Sequence, residues 1–412
     1  MEKRSTVLFQ RALIKIIINI QNLILSIIKF IFYHSNKELE PKSIFILRSS
    51  RLGDFVCAIP AFSLIRKSFP KAHILLLTFT SLNPLNWKKN REENSEWVKL
   101  AEELFDEIIA LRGPEILKIN RIKKLRHRIK ELSPELCFIL PFQWQGFITK
   151  LKNLIFLKFL GVRGNVYGWR VRRLPLFKKI HYRNGENVHA IMAALEPLIE
   201  YGIINSYNQN VIKFNVTIYG NDKKVVDKIW KEYGLIQCPI IALFPGGTFK
   251  HKQWPVYNFQ ILCSLLLKSY PVFIIIIGGP REWQLGERIK CVCPDRIINL
   301  AGSCNIRQTA EILRRSILFV GNDSGPAHLA AAVGTSCVTI FSAIEYPGSW
   351  DQLNNESVIL RHSVPCQFCF SFTHCPKGTE ACIKSITINE VFYACKQLIS
   401  RKKITLNENL AH

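Results

Sequence analysis

The chain has 412 residues, a hydrophobic fraction of 48%, and 56 Lys and Arg against 31 Asp and Glu, for a formal net charge of +25. Its length allows two or three domains with sizeable cores, and its apolar fraction is that of a globular protein. The charge asks for a polyanionic partner, for which nucleic acid, an anionic membrane and a phosphorylated glycolipid all qualify; the basic residues are dispersed, with no aromatic platform for single strands, which sets nucleic acid aside.

The N-terminus is the first feature. Residues 13–32 are mostly Ile, Leu and Phe, interrupted by Lys15, Asn19, Asn22, Ser26 and Lys29. On a helix those five form one narrow stripe, which Arg11 extends. Only 13 uncharged residues separate Lys15 from Lys29, fewer than the roughly 18 of a spanning helix. No small-residue cleavage site follows, so a secretory signal is not expected. The pattern predicts an in-plane membrane helix with a basic polar edge. A helix packed on the protein's own surface and a single span are the alternatives.

Residues 38–42 read as a charged linker. Then come a short strand at 44–47, a polar loop at 48–54, a helix at 58–67 and a strand at 74–78, an order that announces a parallel sheet. Further strands are expected at 107–111 and 136–141, separated by a basic helix at 119–132. From 201 to 214 the chain turns polar, and the domain boundary is placed there. Beyond it, strands at 240–244, 272–277, 297–300, 317–320 and 337–341 alternate with helices at 256–268, 282–290 and 306–314. The expected class is α/β, with two doubly wound Rossmann-like halves and a ligand cleft between them. Its parts are a membrane-associating helix and linker (1–42), an N-terminal half (43–210), a C-terminal half (211–395) and a tail (396–412).

Four strand ends carry chemistry. Residues 318–328, Leu-Phe-Val-Gly-Asn-Asp-Ser-Gly-Pro-Ala-His, lead from a strand through small polar residues into a helix expected to start at Pro326, since proline suits a first helical turn. Gly325 allows close approach of a ligand, and the free N–H groups of the helix start favour an anion such as a diphosphate. Asp323 and His328 flank that turn, a crevice-building arrangement at strand carboxyl ends. In Phe-Pro-Gly-Gly-Thr-Phe-Lys-His-Lys-Gln-Trp-Pro (244–255), Thr248 sits on the rim and Lys252 is a point charge suited to phosphate. Glu282, ending Gly-Gly-Pro-Arg-Glu (278–282), could accept ribose hydroxyls or simply favour a helix start. In Arg-Ser-Ser-Arg-Leu-Gly-Asp (48–54), Asp54 could cap the following helix or take a proton from an attacking hydroxyl.

Taken in order, these loops resemble glycosyltransferase family 9, the ADP-heptose:lipopolysaccharide heptosyltransferase family of GT-B fold. The residues that carry the resemblance are Arg48 to Asp54, Thr248 to Pro255, Gly279 to Glu282 and Gly321 to His328, and it covers about residues 43–395. The resemblance implies an inverting, metal-independent transfer in which Asp54 is the general base and Arg48 and Arg51 lie near the acceptor. It implies that Lys252 and Thr248 hold the donor diphosphate and that Glu282 holds the nucleotide ribose. Asp323, Ser324, Gly325 and His328 would line the donor sugar and phosphates. The partners implied are a nucleotide sugar such as ADP-heptose, an anionic glycolipid or glycan acceptor such as a lipopolysaccharide core, and the inner face of the bacterial inner membrane. No nucleic acid is expected. Another nucleotide sugar or a protein acceptor is the alternative within the same fold. Gly246-Gly247 departs from relatives with more polar residues at that point.

Nine of the thirteen cysteines are scattered, many through apolar runs, and read as reduced core thiols of a cytosolic protein. Cys366, Cys369, Cys375 and Cys382 are spaced closely enough for a structural zinc or iron; free thiols and disulfides are the alternatives. None is needed for catalysis.

Overall fold

The computed structural model describes residues 2–33, 40–79, 96–111, 118–141, 145–173, 188–207, 212–353 and 356–402, with side chains from residue 11 onward. The chain divides into two compact units, Met1–Asn215 and Val216–His412, slightly beyond the expected boundary at 210.

The first unit is a five-stranded parallel sheet. Its strands are β1 (Ser43–Ser49), β2 (His73–Phe79), β3 (Glu107–Leu111), β4 (Leu136–Ile139) and β5 (Asn165–Tyr167), in the order β3-β2-β1-β4-β5. Ile44, Phe45 and Ile46 of β1 are all fully buried, as expected of a parallel strand covered on both faces. Helices α2 (Leu52–Ser68), α3 (Ile119–Leu132), α4 (Phe147–Leu160) and α5 (Ala190–Tyr201) cover it. Strand β5 and helices α4 and α5 escape the sequence reading, and the start of α2 is displaced from expectation. The three-residue β5 is too short to show a period, and it lies within the basic stretch 163–173, whose Trp169 and Val171 are core residues. Helix α2 starts at Leu52, six residues before expectation, taking Gly53 into its first turn and Pro60 into its interior. The polar loop therefore shrinks to Ser50 and Arg51.

Helix α1 (Glu2–Phe32) belongs to this unit rather than standing apart. Ile14, Leu25 and Tyr33 enter the same core cluster as Phe45, Leu75, Leu154 and Leu157. Asn22 donates to the Val171 carbonyl at 3.0 Å and accepts from the Val171 N–H at 2.7 Å, a substitute for strand pairing. The Tyr33 hydroxyl donates to the Leu154 carbonyl at 2.6 Å. Of the expected polar stripe, Arg11, Lys15, Asn19 and Ser26 are exposed, while Asn22 and Lys29 turn toward the protein. Lys29 sits over the rings of Tyr167 and Trp169. By length and composition, Arg11–Phe32 would suffice to cross a membrane. Residues 34–39, including part of the expected linker, lie outside the described residues.

The second unit has six parallel strands: β6 (Ile240–Phe244), β7 (Phe273–Ile276), β8 (Ile297–Asn299), β9 (Leu318–Asn322), β10 (Ser336–Phe341) and β11 (Ser357–Arg361). Their order is β11-β10-β9-β6-β7-β8. The chain winds outward from β6 on one side and from β9 on the other, so the topological switch lies between β6 and β9, where such sheets bind ligands. The unit's helices are α6 (Gly220–Glu232), α7 (Val256–Ser269), α8 (Trp283–Lys290), α9 (Ile306–Arg315), α10 (Gly325–Ala332), α11 (Ala381–Lys384) and α12 (Ile388–Arg401). The set does not close at β10 as expected, because β11 adds an edge. Nor does a tail begin at 396: Leu398 and Ile399 of α12 are core residues. Thr387 caps that helix by accepting the Glu390 N–H. Residues 403–412 lie outside the described residues.

Candidate active site

Asn322, the last residue of β9, organises the switch point. Its amide donates to the carbonyls of Pro245 and Gly246, both at 2.9 Å, and its oxygen accepts the Trp254 N–H at 2.9 Å. One buried side chain thus ties the end of β6 to the end of β9 and fixes the turn that follows. Trp254 anchors the far side of the turn, its indole N–H donating to the Ile386 carbonyl at 2.8 Å. Between the two anchors a single 3-10 turn, Lys250–Lys252, aims Lys252 at Asp323, Nζ to Oδ2 2.6 Å. Those side chains are only 14% and 9% exposed. Burial by itself would lower the Lys252 pKa, but the carboxylates of Asp323 and Glu345 outweigh it and raise the pKa above the ordinary lysine value. Lys252 is therefore a fixed cation.

Ser324 is the N-cap of α10, which begins at Gly325, one residue before the expected start at Pro326. His328, on the same helix, is buried with its ring edge-on to Trp350 at 6.0 Å. Burial pushes its pKa down, so the neutral imidazole is favoured at physiological pH. Lys252, Asp323, Glu345 and Arg361, with the rings of Phe341, Tyr346 and Trp350, line a small cavity beside it. Arg361, at the end of β11, pairs with Asp351 at 2.8 Å.

Glu282 closes a 3-10 turn, Pro280–Glu282, and accepts the Gly279 N–H at 2.9 Å. Burial raises its pKa, with the Gly279 N–H opposing. A Cβ on Gly246 would stand 2.4 Å from the Glu282 Cγ. Glycine at 246 thus lets Glu282 seat against the β6 loop. Thr248 is exposed on that loop. The structure brings Lys252, Asp323, Ser324, Gly325 and His328 together, with Glu282 joined to them through Gly246. The arrangement can take an anion: a phosphate that displaces the Asp323 carboxylate from Lys252 would also meet the N–H groups at the start of α10. Sequence reasoning assigned no role to Asn322, Glu345, Trp350 or Arg361. Asn322 had a signal, since it lies inside the motif; the other three come from later segments that only the fold returns to this place.

In the first unit, Arg48 is not presented to an acceptor. It is 1% exposed. Its guanidinium donates to the carbonyls of Leu140 (3.3 Å), Pro141 (2.7 Å) and Asp54 (2.9 Å), clamping the end of β4 to the start of α2. Arg51 is the N-cap of α2, half-buried, and its N–H reaches the Asp54 Oδ2 at 3.2 Å. Asp54 thus closes the helix start from within its first turn, the N3 half of a capping box. Burial also lifts the Asp54 pKa, against the opposing pull of Arg48, the Arg51 N–H and the Arg51 charge. A raised pKa moves a carboxylate toward the range in which a general base works best.

The four clustered cysteines have free thiols. Cys366, Cys369 and Cys375 lie near enough to raise the Cys382 pKa, after burial as the leading cause. Among the described residues, no three His, Cys, Asp or Glu side chains are gathered into a metal-ligand set.

Two doubly wound parallel units in one chain, the second with a buried lysine and a helix start at its switch point, define the GT-B class of α/β proteins. The chain belongs to glycosyltransferase family 9 (heptosyltransferase), whose model matches residues 167–378. It is 28% identical over 145 residues to lipooligosaccharide heptosyltransferase 2 of Haemophilus influenzae, covering 34% of this chain and 41% of that one. It is 22% identical over 302 residues to lipopolysaccharide heptosyltransferase 3 of Escherichia coli K12, covering 71% of this chain and 80% of that one. The chain spans between 41% and 52% of the length of the first curated relatives it matches. Among solved structures, E. coli ADP-heptose lps heptosyltransferase II superposes with a TM-score of 0.60 at 17% identity, over 88% of this chain and 99% of that one.

Proposed function

We propose that the chain is an inverting glycosyltransferase that moves a heptose from ADP-heptose to a lipopolysaccharide core or related glycan, on the inner face of the bacterial inner membrane. The observation that carries this reading is the Lys252–Asp323 pair beside the start of α10, at the switch point of the second sheet. Asp54 would take the proton of the acceptor hydroxyl, whose oxygen then bonds to the anomeric carbon as the bond to the diphosphate breaks. Lys252 and the α10 N–H groups would hold the charge that develops on departing ADP. Glu282 would accept hydroxyls of the nucleotide ribose, and Thr248 would contact the diphosphate. His328, kept neutral, would donate or accept hydrogen bonds without adding charge. Arg51, at the helix start beside Asp54, is the acceptor-side cation; Arg48 acts by holding that corner in place. The family names of the relatives support heptose as the sugar. The test is turnover and thermal stabilisation with ADP-heptose against UDP- and GDP-sugars: a ligand at 100 times its dissociation constant adds about 2.7 kcal/mol. Stabilisation by UDP- or GDP-sugars in place of ADP-heptose would keep the transferase and change the donor. Cys366, Cys369, Cys375 and Cys382 are proposed to hold a structural zinc or iron, which the metal content of the purified chain tests.

A further inference from the structure

We propose that the outward faces of α1 and α4 form one surface that lies in the plane of an anionic bilayer, so that α1 serves the unit's core with one side and the membrane with the other. The inward side of α1 is fixed by Ile14, Leu25 and Asn22, and the Phe32 carbonyl accepts from Lys158 of α4 at 2.9 Å. On the opposite side Ile16, Ile20, Leu23, Ile27, Phe30 and Ile31 are between 52% and 72% exposed. Helix α4, which packs beside α1, continues this surface with Ile148 (65%), Ile155 (51%) and Phe159 (49%), whose spacings of seven and four place them on one helical stripe. Isolated exposed apolar residues need no explanation, but a contiguous set on two adjoining helices marks an interaction site.

Charge selects the occupant. Helix α3 borders the apolar surface, with the Arg126 guanidinium 5.4 Å from the Phe159 ring centre. Its sequence, INRIKKLRHRIKEL, carries six Lys and Arg against one Glu. Arg121, Lys123, Lys124, Arg126 and Lys130 of that helix are exposed, as are Arg11 and Lys15 on the polar edge of α1. A second copy pairing through this face would bring like charges together, whereas anionic headgroups neutralise them. The geometry also argues for lying in the plane. Contacts to the unit run from Ile14 to Tyr33, about 28 Å of helix, close to the roughly 30 Å of a bilayer's hydrocarbon. A helix docked over that length cannot cross unless the unit's polar surface enters the lipid. The resulting amphipathic arrangement, apolar side down with cations at its border, is that of an interfacial helix.

This inference specifies the membrane association proposed above but does not depend on the sugar transferred, because vesicle binding and turnover of a soluble acceptor fragment are separate readouts. The experiment is co-sedimentation of the full chain with vesicles of phosphatidylethanolamine and phosphatidylglycerol, and with phosphatidylcholine alone. Leu23→Glu with Ile27→Glu is expected to weaken binding at least about tenfold, since burying one such side chain is worth on the order of tenfold. Melting temperature and ADP affinity are expected to be unchanged. Lys123→Gln with Lys124→Gln should weaken binding several-fold on anionic vesicles and leave phosphatidylcholine binding as it was. Phe30→Gln is the milder change if the double acidic variant folds poorly, and it too should reduce binding. Wild-type protein that ignores anionic vesicles, or face variants that bind them as wild type does, would overturn the proposal. So would a dimer that the face variants convert to monomer with vesicle binding intact, because a second copy would then be the occupant.

Discussion

The two units share one plan, a parallel sheet wound outward from its first and fourth strands, yet they use their charged side chains in opposite ways. At the carboxyl ends of β6 and β9, the second unit gathers Lys252, Asp323 and Glu345 around a small cavity with Arg361. At the corresponding ends of β1 and β4, the first unit turns its arginine inward: Arg48 holds three main-chain carbonyls, leaving Asp54 at the helix start. The same topology can therefore make a buried ion pair beside a cavity or a rigid corner. What separates them is whether the charged group meets a carboxylate that a ligand can displace, or carbonyl groups that nothing replaces.

The strongest way to break this contrast is Asp54→Asn. If the first unit supplies only a base, kcat should fall by about 10²–10⁴-fold with ADP affinity unchanged in a binding titration; full turnover would remove the base. Lys252→Ala should cost about 10²–10³-fold in kcat/KM, and the stabilisation by ADP seen in a melting curve should shrink with it. Arg48→Met tests the inward reading. Three carbonyls lose a charged donor, so the unit should be destabilised by about 2–4 kcal/mol, with acceptor KM changed little in the folded fraction. A higher acceptor KM with an unchanged melting temperature would return Arg48 to the acceptor. Asn322→Ala should cost about 1–3 kcal/mol and loosen Lys252, raising donor KM more than it lowers kcat.

The smallest effect expected concerns pH. The Asp54 pKa is raised by burial, so the acid limb of kcat/KM should lie above the usual carboxylate value of about 4. The sign for stability follows. The folded state holds that proton more tightly than the unfolded chain, so this contribution is present at low pH and is lost as pH rises through the folded-state pKa. Asp54→Asn, which keeps a capping side chain without the charge, should then be no less stable than wild type at neutral pH while being far less active. A less stable variant would mean that the cap matters more than burial.

Much of this architecture was legible along the chain. Runs such as 44–47, 240–244 and 318–320 are apolar without alternation, which a strand buried on both faces requires, and loops with Gly, Asp and Lys follow them. The motif residues Lys252, Asp323, Ser324 and His328 could be named because they lie in the loops and helix start that follow such strand ends, none more than eight positions beyond. The N-terminal helix was legible as amphipathic, but its periodicity could not say which side was covered. Asn22 and Lys29 read as part of a water-facing stripe, and they turn toward Val171 and the rings of Tyr167 and Trp169 instead. Two different apolar sides on one helix give no single-sided pattern.

The sequence by itself thus determined the parallel α/β plan, the strand-end loops and the chemistry those loops offer, because burial on both faces and turn residues leave local marks. Only the tertiary structure decided that Arg48 is a clamp and that Gly246 lets Glu282 seat. It alone brought Glu345, Trp350 and Arg361 to Lys252 and made α1 a core helix with an apolar back. Each of these depends on contacts between residues far apart in the chain, for which hydrogen-bond partners and burial are set by packing and not by neighbours in sequence.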